Sequence, residues 1–197
     1  MKRMILDTSS KLLYVCFMDD NKIIYEVITE GENNHSDHLI TKIEEGLSKL
    51  NLSVSDFDEF VCGYGPGRYT GLRVALTVIK TFAWTLNKKM YVCSSLDLLA
   101  SHYFNKDGIY FELLRAKKDY SYAKIFKIEN GKYALLKEEE FVLDEEFIDK
   151  YSKKYQDYVL INNDNIKIDI LNMKEDMYKV VSDIHNLSPN YVREDVI

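Results

Sequence analysis

The segment at residues 63–73 constrains the fold of this chain more than any other. Its sequence, GYGPGRYTGLR, holds four of the chain's eight glycines and one of its two prolines. An apolar, strand-like run at residues 60–62 precedes it, and a long apolar pattern typical of a helix follows it. Glycine reaches backbone conformations that other residues avoid, and proline fixes φ and removes a donor. The segment therefore predicts a rigid turn at a strand-to-helix junction, where α/β proteins place phosphates, partners or catalytic groups.

Two interpretations of this turn, residues 63–71 and called the glycine loop below, are open from its residues alone. Its backbone amides could form a nest for a phosphate at the start of the following helix. Alternatively, the glycines only allow strand and helix to pack closely. The loop lacks the Gly-Lys-Ser/Thr ending of a Walker motif, and its glycines do not match the G-x-G-x-x-G spacing.

Composition excludes several classes of protein. The net charge of −6 and the pI near 5.3 do not fit an autonomous nucleic-acid binder. Three cysteines far apart in the sequence fit neither a disulfide framework nor a zinc site. The apolar stretch before Asp7 is too short for a signal peptide, and no apolar run is long enough for a membrane span. We therefore expect a cytoplasmic protein with no membrane contact.

The order of elements predicts the fold class. The first half is predicted as three strands (4–6, 12–18, 22–29), a helix (36–50), a strand (60–64), a helix with Thr70 as N-cap (71–86), a strand (90–94) and a helix (95–103). This is the order of the ribonuclease-H-like unit of actin-like ATPases. The second half is predicted as strands at 109–114, 121–128, 132–142 and 158–161, with helices at 144–154 and 174–184. We expect an α/β fold of the actin-like ATPase superfamily in two subdomains, 1–103 and a reduced 104–197.

The helix after the glycine loop is apolar around most of its circumference. A helix that covers one face of a sheet needs a single apolar stripe, so either other parts of the chain or another protein must cover the far side. The sequence favours a protein partner, which would contact this helix and the apolar stripe of the preceding one. The predicted interface consists of Leu39, Ile43, Leu47, Val74, Val78, Ile79 and Phe82.

A carboxylate and two hydroxyls, at Asp7, Thr8 and Ser9, follow the first strand. In ATPases of this fold such a group holds Mg²⁺ and phosphate, but it is also an ordinary capped turn. After residue 100 only Gly108 and Gly131 remain to build a second phosphate loop, so independent ATP hydrolysis is not expected. A phosphotransferase or ATPase that uses Asp7 remains the alternative. The candidate nucleotide or phosphate contacts are Asp7, Thr8, Gly65, Gly67, Thr70 and Arg73.

Two histidines, His35 and His38, lie three residues apart at a helix start. They could ligate a metal, as a metalloprotease-like protein would need. A solvated helix start capped by Ser36 or Asp37 is the simpler interpretation. No Cys–His or Ser–His–Asp arrangement can be assembled from the motifs, so we predict no catalytic residue and no metal ligand.

Four segments resemble the TsaB (YeaZ) family of bacterial tRNA threonylcarbamoyladenosine biosynthesis proteins. They are ILDTS at 5–9, HSD at 35–37, GYGPGRYTGLR at 63–73 and the ending SPNYVR at 188–193. The resemblance is strong up to about residue 100 and thin after it. It implies a non-catalytic partner of TsaD in the modification of adenosine 37 of tRNA, joined by the ATPase TsaE. We further expect only indirect contact with tRNA, and ATP or ADP only at the interface with the partner. Without the partner, we expect the apolar helices to pair with a second copy of the chain.

Two departures from the family pattern are informative. Arg68 replaces the usual small residue in the glycine loop. Where the family often has Asp-Ala-Arg after a strand, this chain has Arg115-Ala116-Lys117. The roles of Arg68 and Arg73, and of any site that used the lost aspartate, therefore do not follow from the resemblance.

Overall fold

The computed structural model describes residues 1–30 and 35–192, with the side chains of helix α1 described from His38 onward. The strands are β1 (Lys2–Asp7), β2 (Leu12–Asp19), β3 (Lys22–Glu30), β4 (Glu59–Gly63), β5 (Lys89–Cys93), β6 (Gly108–Lys117), β7 (Tyr120–Glu129), β8 (Lys132–Leu143), β9 (Tyr158–Ile161) and β10 (Lys179–Val180). The helices are α1 (His35–Leu50), α2 (Tyr69–Thr85), α3 (Ser95–Ala100) and α4 (Asp144–Ser152). Short 3-10 turns connect several of them. Within the described part of the chain, no helix is long and apolar enough to cross a membrane.

The chain divides into two compact units. The first unit comprises Met1–Ser95 and Glu175–Asn190, and the second comprises Leu96–Lys174 together with the residues from Tyr191. The expected division was 1–103 and 104–197. The structure instead separates the units after Ser95 and returns a late segment to the first unit, because that segment pairs with β5.

The first unit contains a six-stranded sheet of ribonuclease-H-like topology. Its strand order is β10-β5-β4-β1-β2-β3. Strands β1, β2 and β3 form an antiparallel meander, whereas β1, β4 and β5 run parallel. Parallel neighbours require helical crossovers, which α1 and α2 supply. The α/β, ribonuclease-H-like class predicted from the element order is confirmed.

Helices α1 and α2 pack on one face of this sheet and share one core. Alternate residues of a strand point to the same face, so Met4 and Leu6 of β1 meet the apolar stripes of both helices. The stripe of α1 contributes Leu39 and Ile43, and the stripe of α2 contributes Ile79. Burial of such side chains contributes about 1.5–3 kcal/mol each, which holds both helices on the sheet.

The segment 175–190 packs on the rest of the first unit at the edge of the sheet and at helix α2. Strand β10 pairs antiparallel with the edge strand β5, and the Val181 amide donates to the Met90 carbonyl oxygen at 2.9 Å. Lys80 Nζ of α2 donates to the carbonyl oxygens of His185 and Leu187, both at 2.9 Å. The helix predicted over 174–184 was therefore wrong: an open sheet edge offers backbone partners that outweigh a helix-like spacing of apolar residues.

The second unit contains a four-stranded sheet, ordered β8-β7-β6-β9 with β6 parallel to β9. One face carries an apolar core that includes Phe111, Leu113, Ile125 and Phe147 of α4. The strands and the helix predicted from residues 109–161 are confirmed. The chain thus has the mixed strand and helix content expected for both halves.

A buried charge cluster lies within the second unit. Lys124 is 1 % exposed and forms an ion pair with Asp97, whose Oδ1 also accepts a hydrogen bond from Tyr133 at 3.0 Å. Glu112 Oε2 lies 3.7 Å from Lys124 Nζ, and neither Glu112 oxygen has a hydrogen-bond partner among the described residues. Burial raises the pKa of Glu112 well above its usual range, although Lys124 lowers it. Burial therefore favours the protonated form of Glu112, and the closer ion pair of Lys124 is the one with Asp97.

This assignment predicts unequal effects for two substitutions. Lys124→Met leaves a carboxylate without its cation and should lower the free energy of unfolding by about 3–5 kcal/mol. Glu112→Gln replaces a neutral acid with a neutral amide of similar shape and should change it by less than about 1 kcal/mol. Urea-induced unfolding of both variants measures the difference. Equal losses in the two variants would contradict a protonated Glu112.

Candidate functional site

Three parallel strands of the first unit end at the same edge of the sheet, and the candidate site lies there. Asp7 ends β1, Gly63 ends β4, and Ser95 follows β5. The Ser95 hydroxyl donates to Asp7 Oδ2 at 2.7 Å and accepts from the Gly65 amide at 3.0 Å. On the other oxygen, Asp7 Oδ1 accepts from the Ser9 amide at 2.8 Å and from the Ser9 hydroxyl at 2.7 Å. Both oxygens of Asp7 thus have donors from the chain itself.

The hydrogen bond between Asp7 and Ser95 passes over β4 at a position where only glycine fits. A Cβ on Gly63 would lie 1.9 Å from Asp7 Oδ2 and 3.0 Å from Ser95 Oγ. The first glycine of the loop is therefore explained by a side-chain contact above it.

The rest of the glycine loop packs against the turn that follows β1. The Arg68 amide donates to the Ser9 carbonyl oxygen at 2.7 Å, and a Cβ on Gly67 would lie 2.4 Å from that oxygen. The Thr8 hydroxyl donates to the Gly71 carbonyl oxygen at 2.6 Å. A Cβ on Gly71 would lie 1.9 Å from the Thr8 carbonyl oxygen. These glycines permit backbone-to-backbone contact, which leaves no space between loop and turn.

The ending of the described chain closes the remaining side of the loop. Gly65 has φ of +127°, and a Cβ there would lie 2.2 Å from the Asn190 carbonyl oxygen. The Asn190 amide donates to the Tyr64 carbonyl oxygen at 2.8 Å. The peptide bond between Gly65 and Pro66 is cis. Asn190, from the ending that resembles the family, therefore contacts the glycine loop. Arg193 of the same ending lies outside the described residues.

Asp7 has an unusual protonation equilibrium. Burial raises the pKa of Asp7 from its ordinary value of 3.8 to about 6, and the hydrogen bonds from Ser9 and Ser95 oppose that rise. The carboxylate is fully buried.

Mg²⁺ and phosphate do not fit these residues. A magnesium ligand needs a carboxylate oxygen open to the ion and its waters, whereas Asp7 is 1 % exposed and Thr8 is 0 % exposed. The faces of Gly65 and Gly67 that a phosphate would approach contact Asn190 and Ser9 instead. Of the two interpretations of the glycine loop, the geometry favours the close-packed turn.

The remaining candidates for nucleotide contact, Thr70 and Arg73, lie at the start of α2 with exposed side chains. The Arg73 guanidinium lies 4.1 Å from the centre of the Tyr69 ring. Thr70 is not the N-cap: α2 begins at Tyr69, and Arg68 is the N-cap residue, with an extended backbone and no side-chain cap hydrogen bond. The start of α2 is fixed by the hydrogen bond from the Arg68 amide to the Ser9 carbonyl oxygen, and not by a capping hydroxyl.

The predicted interface residues separate into two groups. Leu39, Ile43 and Ile79 are at most 2 % exposed and belong to the core. They offer no surface to a partner, because the sheet already covers them. The other four, Leu47, Val74, Val78 and Phe82, are half-buried at its margin.

No group of three or more metal-ligating side chains occurs among the residues that the structure describes. The side chains of His35, Ser36 and Asp37 lie outside those residues, so the predicted cap and the alternative metal pair are not addressed. His38 is exposed.

Sequence reasoning missed two residues of the site, Ser95 and Asn190. Ser95 had a signal, since it follows the next parallel strand and parallel strands end at the same edge. Asn190 had none, because no local pattern says that residue 190 meets residue 65.

The fold and its edge define a class: an α/β protein of the actin-like ATPase superfamily in which the chain's own residues donate to both oxygens of the strand-end carboxylate Asp7. A sequence model described as TsaD, tRNA N6-adenosine threonylcarbamoyltransferase, matches residues 23–184. The chain is 24 % identical to the tRNA threonylcarbamoyladenosine biosynthesis protein TsaB of Bacillus subtilis, over 95 % of this chain and 92 % of that protein. The chain belongs to this family, in its TsaB (YeaZ) branch.

Further similarities agree with this assignment. A TsaB of Buchnera aphidicola (strain Bp) is 28 % identical over 52 % of this chain and 47 % of that protein. The structure of YeaZ from Pseudomonas aeruginosa has a TM-score of 0.65 and 22 % identity, and the match covers 72 % of this chain and 67 % of that one. The resemblance seen in the sequence is thus confirmed, and the YeaZ structure supports the fold.

Asp7 should make stability depend on pH in a defined direction. Its folded-state pKa lies above the ordinary value, so the folded chain binds this proton more tightly and loses stability as the pH rises from about 4 to about 6. Relative to the parent chain, Asp7→Asn should gain roughly 3 kcal/mol in free energy of unfolding between pH 4 and pH 7. Denaturant unfolding across that range measures the difference.

Asp56→Asn is a matched control with the opposite sign. Hydrogen bonds from the Ser53 amide and hydroxyl lower the pKa of the exposed Asp56, so the parent gains stability from this group as the pH rises. A difference for Asp7→Asn that stays constant with pH would contradict the buried, raised pKa.

Proposed function

We propose that this chain acts in the biosynthesis of N6-threonylcarbamoyladenosine in tRNA, as the non-catalytic partner of a TsaD-like protein in the cytoplasm. The observation that carries the proposal is the closed Asp7 site in a chain that matches TsaB over nearly its whole length. An enzyme of this fold would need the Asp7 carboxylate for a metal and the loop amides for phosphate. Here the chain's own residues satisfy Asp7 and pack against the loop, so the contribution of this chain must be to binding.

The exposed side of α2 supports a protein partner. Exposed and half-buried residues follow one another along it, and only one of the exposed residues is charged. An ordinary solvated helix face carries many charges, whereas the centre of an interface is depleted of them. We call this surface the α2 face. Its residues are Thr70, Arg73, Val74, Thr77, Val78, Thr81, Trp84 and Thr85.

The α2 face is what remains after the chain has covered the rest of the helix. One flank packs on the sheet, and Lys80, the other charged residue of α2, is bound to the backbone of segment 175–190. By contrast, the exposed side of α1 carries Glu44, Glu45 and Lys49. The docking surface is therefore centred on α2, with α1 contributing only Leu47 and its neighbours at the margin.

The other expected partners follow from this arrangement. A TsaE-like ATPase joins the pair, and tRNA contacts the complex mainly through the other subunits, because this chain is acidic. ATP or ADP is bound only where the partner completes a site, and Thr70 and Arg73 are the candidate residues that are exposed to reach it. In isolation, the α2 face pairs with a second copy of the chain, since closed two-fold pairing is the common solution for such a surface.

Charge insertion on the α2 face tests the partner. Thr77→Glu places a carboxylate at an exposed position of α2 and should weaken co-purification with the TsaD-like protein of the same organism by more than about tenfold, because an interface leaves the charge unpaired and desolvated. Size-exclusion chromatography of the mixed proteins measures the complex. Ser48→Glu on the exposed side of α1 is the matched control and should leave the complex intact. Loss with Ser48→Glu alone would move the interface to α1.

Nucleotide binding separates the proposal from the ATPase alternative. Titration of the isolated chain with Mg-ATP in a calorimeter should give no heat of binding, and no phosphate should be released, because the Asp7 carboxylate already accepts hydrogen bonds from Ser9 and Ser95 at both oxygens. The TsaD-like protein, titrated in parallel, is the positive control. Stoichiometric binding with turnover by the isolated chain would favour the enzyme instead.

A further inference from the structure

The second unit has a cavity of about 260 Å³ on its own surface. It lies beyond the carboxyl ends of the parallel strands β6 and β9, beside the start of α4. Ligand sites of open α/β sheets occur at this edge. The cavity is smaller than those that hold drug-sized molecules, so an occupant must be small.

One wall of the cavity is apolar and rigid. Leu113 is 5 % exposed and belongs to the core of the second unit, and Ile148 and Leu160 pack against that core. These side chains would contact a small aliphatic group.

The opposite wall holds charged and polar groups, one of which is a buried oxygen without a partner. Among the described residues, Arg115 forms no ion pair and Asp144 Oδ1 is buried without a hydrogen-bond partner, although both side chains line the cavity. Ser121 also lines the cavity and is 1 % exposed. Buried polar groups nearly always have partners. One cation, Arg115, and two carboxylates, Asp144 and Asp164, line the cavity without an ion pair among the described residues, and an occupant that carries both charges would pair with both kinds of group.

The loop after β9 is fixed in place by hydrogen bonds. The Arg115 amide donates to Asn163 Oδ1 at 2.7 Å, and the Asp164 amide donates to Asn162 Oδ1 at 2.9 Å. Each asparagine uses its oxygen in this way, which leaves the amide NH₂ groups of both as donors at the cavity. The cavity thus offers donors near Arg115 and an acceptor at Asp144.

We propose that this cavity binds a small zwitterion, an α-amino acid with an aliphatic side chain. The α-carboxylate binds the Arg115 guanidinium, whose planar fork matches a carboxylate. The α-ammonium donates to Asp144, with Ser121 as the neighbouring hydroxyl, and the side chain packs on Leu113. This site is separate from the α2 face and does not depend on the proposed function.

Calorimetric titration of the full chain with L-valine and L-leucine tests the site. We expect a dissociation constant below about 1 mM for at least one of them. Two analogues of valine each lack one charge: 3-methylbutanoate has no ammonium, and isobutylamine has no carboxylate. Both should bind more than about tenfold more weakly, because 3-methylbutanoate leaves the cavity carboxylates without a cation and isobutylamine leaves Arg115 without a carboxylate.

Variants assign the binding to this cavity. Arg115→Gln and Asp144→Asn should each abolish measurable binding, whereas Lys118→Gln, which removes a cation from the same hairpin outside the cavity, should leave it unchanged. Thermal melting of each variant without ligand shows whether the fold is intact. Absence of binding by either amino acid, or binding of 3-methylbutanoate as tight as that of valine, would overturn the proposal. Neither result bears on association with a TsaD-like protein, which Thr77→Glu tests.

Discussion

The hydrogen bond from Ser95 to Asp7 is the contact on which the first unit depends. It joins the ends of two strands that are not neighbours, β1 and β5, across the glycine that ends β4. The same serine hydroxyl accepts from the Gly65 amide and thereby fixes the beginning of the glycine loop. Because Asp7 also binds both donors of Ser9, one buried carboxylate organises the turn after β1, the loop after β4 and the start of the chain after β5.

A carboxylate used in this way is unavailable for other chemistry. In a nucleotide-binding relative of this fold, the corresponding edge must exchange water, metal and phosphate, so its groups have to remain partly solvated. In this chain, the groups that bind Asp7 are Ser9 and Ser95. They belong to the same polypeptide, so their binding costs no entropy of association. The edge of the sheet still determines the orientation of α2. Thr8 forms hydrogen bonds with Gly71 and Ala75 near the start of this helix, and these bonds set which side of the helix faces solvent.

The sequence predicted the first sheet, its helices and the rigidity of the glycine loop, because those follow from local periodicity and turn chemistry. It placed Asp7 at a strand end but missed Ser95, whose role depends on the parallel register of β1, β4 and β5. It also predicted a helix at 174–184, where apolar residues recur at helical spacing. That segment pairs with the edge of β5 and then reaches residue 65 through Asn190. Both contacts join residues that are far apart in the sequence, so local sequence patterns could not predict either of them.

The sequence predicted that α2 is covered on more than one side, but not by what. The sequence indicated too many apolar residues for one stripe, and two explanations were open, burial by the chain or by another protein. Burial by the chain accounts for one side of the helix, and we propose burial by a partner for the other. Segment 175–190 covers one flank and engages Lys80, while the exposed side keeps threonines and half-buried valines with Arg73 as its only exposed charge. The exposed side of α2 remains weakly charged even though segment 175–190 covers another side of the helix. Contact with water alone gives no reason to have threonine and valine there in place of lysine and glutamate, so we attribute this composition to a second protein.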